Sequence, residues 1–196
     1  MKSLFVFLAC LMISTAAFCQ SKIDSLLRKK IISMFREDQK WRIESDNVQN
    51  GKKSEYEEAT INRNMGKTDS LNMIQAKIII NKYGFPGNSL VGADGSNGFW
   101  AIVQHSDDDP MFQQKVLKLM RKEVKLKNAS GENFALLQDR VLINQGHKQL
   151  YGTQLRRDLK THQVKPLPTR DSLNVDSRRK AVGLPPLKEY LKLFNR

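Results

Sequence analysis

The spacing of the apolar residues limits the fold of this chain more than any other feature, because it repeats at intervals of three and four through much of the sequence. Such spacing places one apolar stripe on an α-helix, whereas a half-buried strand would alternate strictly. Longer helices are predicted over residues 24–44, 71–82, 110–128, 133–144 and 187–194. The pattern predicts a mainly α fold: a single compact domain of about six helices with long loops and little or no sheet.

Between these helices, two stretches are predicted to be loops. Residues 46–67 are polar and interrupted by Gly51 and Gly66, with one short helix predicted over 55–62 and a helix cap at 68–70. Residues 88–98 carry three glycines but lack the lysine and hydroxyl of a phosphate loop. Residues 99–105 fit a short helix or a buried strand, and we predict a helix because both neighbours are helical.

The first nineteen residues have the features of a secretory signal peptide. Lys2 provides a positive charge, residues 4–13 are apolar, and Ala17 and Cys19 are small residues at the cleavage positions. The alternative is a membrane anchor, but the apolar run is shorter than the ~20 residues that span a bilayer. We therefore predict a signal peptide over 1–19, a mature domain over 20–196, export to the periplasm or the outside, and no stable membrane insertion.

The predicted mature chain is strongly basic and contains no cysteine. It has 32 Lys and Arg against 20 Asp and Glu, a net charge of +12, of which +8 lies in residues 147–196. Such a charge fits either an anionic partner or a solvated basic surface, and we favour the surface. Because no aromatic residues interleave the basic ones, a nucleic-acid partner is not predicted.

The densest group of residues able to transfer protons follows the apolar run at 99–103. His105, Asp107 and Asp109 could bind a divalent metal, or provide a general base and the carboxylate that orients it. Asp109 precedes Pro110 and is predicted to cap the next helix. We therefore favour a site without metal or cofactor, in which His105 is the catalytic acid or base and Asp107 or Asp139 orients it.

Further polar residues are predicted to bind a ligand. Gln39 continues the apolar stripe of the first helix, and Arg140 follows Asp139 on another helix face. A later loop offers amides and a phenol, which suit a sugar or peptide. The structural alternatives are a satisfied core amide, an ion pair and backbone capping. The predicted ligand-binding residues are Gln39, Gln104, Arg140, Gln149, Tyr151 and Gln154.

Several runs of residues, taken in order, resemble the bacterial domain-of-unknown-function family 6624. The runs are W-A-I-V-Q-H-S-D at 100–107, A-L-L-Q-D-R at 135–140 and Y-G-T-Q at 151–154, preceded by G-F-P at 84–86. The resemblance covers about residues 38–187. It implies no established activity, but it suggests that the polar residues of these runs and Gln149 converge on one place.

These observations favour an exported protein with a polar cleft, hydrolase-like, acting on a polar envelope or extracellular substrate. The competing hypothesis is a non-catalytic binding module for a polar or anionic small molecule or envelope polymer. A third is a purely structural polar network. No serine-elbow, zinc-protease, dithiol or dinucleotide motif is present, so the sequence does not decide whether the protein is an enzyme. It does not give an oligomeric state either.

Overall fold

The computed structural model describes residues 23–195, so the predicted signal peptide lies outside the described residues. Within that range two strands, β1 (Leu155–Arg157) and β2 (Val164–Pro166), pair antiparallel. The mainly α prediction is confirmed, with seven α-helices in the described range: α1 Ser25–Gln49, α2 Glu58–Tyr83, α3 Asn88–Gln104, α4 Pro110–Lys125, α5 Gly131–Asn144, α6 Val175–Ala181 and α7 Leu187–Lys192. None of the helices in this range is long and apolar enough to cross a bilayer.

Three helices begin at side-chain caps that satisfy free backbone N–H groups. Asp24 accepts a hydrogen bond from Leu27 N at the start of α1, and Asp109 accepts one from Phe112 N at the start of α4. Both starts confirm the prediction. Ser130 caps α5 in the same way, and this helix begins at Gly131, two residues earlier than predicted.

The loop predicted over residues 46–67 is confirmed only for residues 50–57, because α1 continues to Gln49 and α2 begins at Glu58. The short helix predicted over 55–62 is the first part of α2, and the helix cap predicted at 68–70 is wrong. Helix α2 runs through Gly66 and Thr68 without a break. Thr68 and Asn72 are buried on the helix together with Ile61, so polar positions complete the inward face. A glycine inside a helix costs only about 1 kcal/mol, and the burial of this face outweighs that cost.

The prediction of a loop over residues 88–98 is also wrong, because these residues form the first part of α3. Gly92, with φ 75° and ψ 165°, kinks the helix there. A Cβ atom on Gly98 would lie only 3.3 Å from the Cβ of Phe35 on α1. The glycines therefore allow α3 to pack closely against α1. The short helix predicted over 99–105 is confirmed as the end of α3.

The hydrophobic core lies among α1 to α5. The rings of Phe85 and Phe99 meet edge to face at its centre, 5.8 Å apart, and Val116 and Leu137 are fully buried on α4 and α5. The C-terminal residues pack on the outside of α5, where the carbonyl of Val182 leaves no space for a side chain at position 131. The core thus fixes the relative positions of α1, α3 and α5, which carry the cavity described below.

Replacing Gly98 with valine is expected to lower the free energy of unfolding by about 1–3 kcal/mol, because the new side chain overpacks the contact with Phe35. Gly66 is the matched control, since a Cβ there meets nothing within 4 Å. The Gly66→Ala variant should be more stable by about 0.5–1 kcal/mol. Urea unfolding followed by circular dichroism measures both. Equal effects of the two substitutions would contradict the close α1–α3 contact.

Candidate functional site

His105 directly follows α3, and its ring faces α1. Its Nδ1 lies 2.8 Å from Oδ1 of Asp38 and 2.9 Å from Nε of Arg42. One ring nitrogen cannot serve both at once: it donates to Asp38 when it carries a proton, and accepts from Arg42 when it does not. The side chain of Asp38 is 1% exposed and that of His105 is 17% exposed. A buried carboxylate thus supports a partly accessible imidazole.

Arg42 joins this pair to a third helix. Its Nη2 lies 2.6 Å from Oδ1 of Asp69 on α2 and 3.3 Å from Oδ1 of Asp38. Asp38 and Arg42 are four residues apart on α1, a spacing that places two side chains side by side on a helix. We call Asp38, Arg42, Asp69 and His105 the His105 cluster. It ties α1, α2 and the end of α3 together.

The two carboxyl groups of the His105 cluster are shifted in opposite directions. Burial opposes the ionisation of Asp38, but hydrogen bonds from His105 and Gln39 and the positive charge of Arg42 together hold its pKa below the usual value. Burial raises the pKa of Asp69, and Arg42 offsets only part of that effect. The carboxylate beside the imidazole is therefore the more strongly ionised of the two.

A cavity of about 580 Å³ opens beside the cluster, between α1, α3 and α5. His105, Gln39 and Gln104 line it, as does Trp100. Gln39 also donates to Oδ2 of Asp38 at 2.8 Å. Nε1 of Trp100 and Oε1 of Gln104 are buried and have no hydrogen-bond partner within residues 23–195. Buried polar atoms normally are paired, so these two are candidates for a ligand.

Asp107 belongs to a second group of polar residues. It forms a two-pronged ion pair with Arg140 and accepts hydrogen bonds from Gln113 and Asn144. Burial opposes its ionisation, but Arg140 and the two amides hold its pKa below the usual value. The nearby Asp109 pairs with Lys77 in addition to its capping role. Asp107 is thus engaged by α4 and α5 rather than by His105.

Asp139 belongs to a third group and is fully buried. Its carboxylate accepts hydrogen bonds from the backbone N–H groups of Leu150, Tyr151 and Thr153 at 2.7–3.1 Å, and from the hydroxyl of Thr153. Gln149 closes the same loop by accepting from N of residue 154 and donating to O of residue 154 and to O of Leu167. The loop is therefore built around this carboxylate.

The prediction that Asp107 or Asp139 orients His105 is wrong, because the structure gives that position to Asp38. The residues expected to converge on one place lie instead in three hydrogen-bonded groups. Gln39, Gln104 and His105 share the cavity, Arg140 is with Asp107, and the Gln149–Gln154 loop is with Asp139. The sequence interpretation missed Asp38 and Asp69 as site residues. For Asp38 the available indication was its spacing from Arg42.

The same cluster contains potential metal ligands. One ligand atom each from Asp38, Asp69 and His105 lies within 4.8 Å of the others. Arg42 donates to these atoms, so a divalent cation would have to displace its guanidinium. In the sequence motif originally considered for a metal, Asp107 and Asp109 instead pair with Arg140 and Lys77.

Fold and site together define a mainly α domain in which an imidazole supported by a buried carboxylate lines a partly enclosed cavity. The chain belongs to the family described as "Family of unknown function (DUF6624)", whose model matches residues 25–196. The resemblance seen in the sequence is thereby confirmed. No curated protein and no solved structure matches this chain.

Replacing Asp139 with alanine is expected to lower the free energy of unfolding by about 3 kcal/mol or more, because several buried donors lose their acceptor together. Asp139→Asn should cost less, since its amide oxygen still accepts. The exposed Asp108 provides a matched control, and Asp108→Asn should have little effect. Urea unfolding measures all three. An Asp139→Ala variant as stable as the control would exclude the loop-anchoring role.

The opposite pKa shifts of Asp38 and Asp69 predict opposite changes in the pH dependence of stability. A lowered pKa stabilises the fold above the unfolded value of about 3.9, and this contribution is lost as pH falls through the folded pKa. A raised pKa gives a contribution that is lost as pH rises through the folded pKa. As the pH rises from about 3 to 7, the free energy of unfolding of Asp38→Asn should therefore increase less than that of the unsubstituted protein. That of Asp69→Asn should increase more.

Urea titrations at several pH values measure these slopes, and circular dichroism confirms that each variant is folded. The comparison uses slopes, so an overall loss of stability in either variant does not affect it. Slopes that change in the same direction in both variants would contradict the assignment.

Proposed function

We propose that this protein is a hydrolase-like enzyme in which His105 acts as general acid and base on a polar substrate. One observation carries the proposal: Nδ1 of His105 faces the buried Asp38, while Nε2 has no hydrogen-bond partner among the described residues and the ring lines the cavity. An imidazole held at one nitrogen and free at the other is the arrangement that general acid–base catalysis requires.

Asp38 is the positioning residue in this proposal. Its ionised carboxylate favours the tautomer with the proton on Nδ1, which leaves the lone pair of Nε2 free to accept a proton. Nε of Arg42 then donates to the Asp38 carboxylate, whose oxygens lie 3.4 Å away. Two carboxylates and one guanidinium surround the ring, so the positive charge of an imidazolium is compensated when it forms.

The residues that line the cavity favour direct attack by water. Among the described lining residues there is no serine, threonine, cysteine or lysine that could form a covalent intermediate, and the one carboxylate, Asp94, is paired with Arg28. In the proposed step, Nε2 takes a proton from water as the water oxygen bonds to the electrophilic atom of the substrate. The imidazolium then returns that proton to the leaving group as its bond breaks.

The predicted export of the chain gives this activity an envelope or extracellular substrate. That compartment would permit disulfides, but residues 20–196 contain no cysteine, so the packed core supplies the stability. Export itself is a prediction from residues 1–19 and is part of the proposal.

The second candidate function is a non-catalytic binding module that uses the same cavity. The unpaired Trp100 Nε1 and Gln104 Oε1 favour it, because they suit a bound ligand whether or not a reaction follows. No lysine or arginine is among the lining residues described, so of the polar and anionic ligands considered, the cavity favours an uncharged one.

Replacing His105 with glutamine is expected to lower kcat by about 10²–10⁴-fold, since the general acid and base is removed. Asp38→Asn should lower kcat more than it changes KM, because the ring loses its preferred tautomer while the isosteric amide and the Arg42–Asp69 pair still connect the helices. The exposed His162 gives the control His162→Gln, which should retain full activity. Chromogenic esters, amides, glycosides and phosphoesters, assayed with and without a chelator, identify the reaction class.

Full turnover by a folded His105→Gln variant would exclude the catalytic role. Absence of turnover with every substrate class, together with ligand binding in the cavity, would decide for the binding module. Loss of activity on chelation would show that the active form needs a metal, for which Asp38, Asp69 and His105 are the candidate ligands.

A further inference from the structure

We propose that the cavity beside His105 binds a neutral saccharide. This inference rests on the proposed function and names the substrate class of the same site. It is carried by the chemistry of the residues that line the cavity: apolar and aromatic side chains, primary amides, and almost no charge.

The apolar part of the lining can accommodate the face of a sugar ring. Phe35 and Ile32 contribute from α1, and Trp100 and Ala101 from α3. Pyranose rings have apolar C–H faces, while their hydroxyl groups point outward around the ring. An aromatic surface with a polar edge, such as an indole, suits both parts of such a ligand.

The polar part of the lining consists mainly of amides. Gln39, Asn97, Gln104 and Asn133 line the cavity, and a primary amide both donates and accepts hydrogen bonds, as a hydroxyl group does. Asn133 donates to Oδ1 of Asn97 at 2.9 Å, which leaves Nδ2 of Asn97 and Oδ1 of Asn133 unpaired among the described residues. The free amide atoms of Asn97 and Asn133 therefore offer a donor and an acceptor to hydroxyl groups. Nε1 of Trp100 and Oε1 of Gln104 are the buried, unpaired polar atoms of the residues that line the cavity.

The charges around the cavity disfavour an anionic ligand. His105 and Asp94 are the ionisable residues of the described lining, and the Asp94 carboxylate is already paired with Arg28. An anion would therefore meet a carboxylate without a lysine or arginine in the lining, although the whole chain carries a formal charge of +13. The two arginines next to the lining, Arg28 and Arg42, are paired with carboxylates, so the cavity is nearly neutral.

The backbone around the cavity disfavours an extended peptide. Peptides are commonly bound by hydrogen bonds from their main chain to an exposed strand or loop backbone. Here α1, α3 and α5 form the walls, and the N–H and C=O groups inside a helix are already paired with each other. Side chains therefore supply most of the groups that can recognise the ligand, which suits a compact ring carrying several hydroxyl groups.

An array of neutral glycans, covering α- and β-linked hexoses and N-acetylhexosamines without acidic groups, tests the proposal directly. We expect saturable binding of at least one glycan, confirmed by isothermal titration calorimetry. Trp100→Leu and Gln104→Leu should each weaken that binding about ten-fold or more, a change of about 1.4 kcal/mol. Trp41→Phe is the matched control, since Trp41 packs against Tyr56 and does not line the cavity. It should bind as the unsubstituted protein does.

Two outcomes would overturn the saccharide assignment. One is that no neutral glycan binds, or that binding is unaffected in both Trp100→Leu and Gln104→Leu. The other is that tetraalanine amide or inorganic phosphate binds in the cavity in place of the glycans. Circular dichroism establishes that both variants are folded, so that weaker binding reports on the cavity.

The His105→Gln variant separates this inference from the proposed function. It should bind the glycan with little change while its turnover is lost. Glycan binding without turnover by the unsubstituted protein would remove the enzyme proposal and leave the saccharide site. His105-dependent turnover of a substrate that is not a saccharide would support the enzyme proposal and overturn the saccharide assignment.

Discussion

A charge removed from water must be compensated locally, and the carboxylate of Asp38 is nearly inaccessible to solvent. Its compensation comes from Arg42 on the same helix and from His105 at the end of another. Because Arg42 also binds Asp69 on α2, one buried charge holds three helices in register. The position of His105 at the cavity is a consequence of this requirement, and the function proposed for it depends on the same contact.

Three buried or half-buried carboxylates organise the polar parts of this fold, but only one leaves its partner available for chemistry. Both oxygens of Asp139 accept hydrogen bonds from backbone N–H groups of a loop, and Asp107 binds Arg140 and two amides. Asp38 instead contacts one nitrogen of an imidazole whose other nitrogen has no described partner. Burial and pairing alone therefore do not single out a catalytic carboxylate. What distinguishes Asp38 is that the imidazole it binds has a second ring nitrogen without a hydrogen-bond partner among the described residues.

The sequence predicted those features that depend on neighbours along the chain. The helix starts at Asp24 and Asp109 follow from local capping preferences, and both are present. The glycine-rich start of α3 was predicted as a loop, because its stability comes from packing on Phe35 rather than from propensity. The partner of His105 was missed for the same reason. Asp38 lies 67 residues away, and no local pattern shows which helices meet.

The basic C-terminal part of the chain illustrates how a strong charge signal can have a structural origin. Arg178 donates to the carbonyl of Leu150, and the fully buried Arg179 donates to the carbonyls of Tyr151 and Pro185 while its guanidinium lies 4.7 Å from the ring of Tyr190. The N–H groups of the same loop donate to Asp139. The carbonyl groups of the loop are thus bound by positively charged arginines, and its N–H groups by a negatively charged carboxylate. These arginines and Asp139 together stabilise the loop. Their charge therefore says nothing about the ligand, which is better judged from the nearly neutral cavity beside His105.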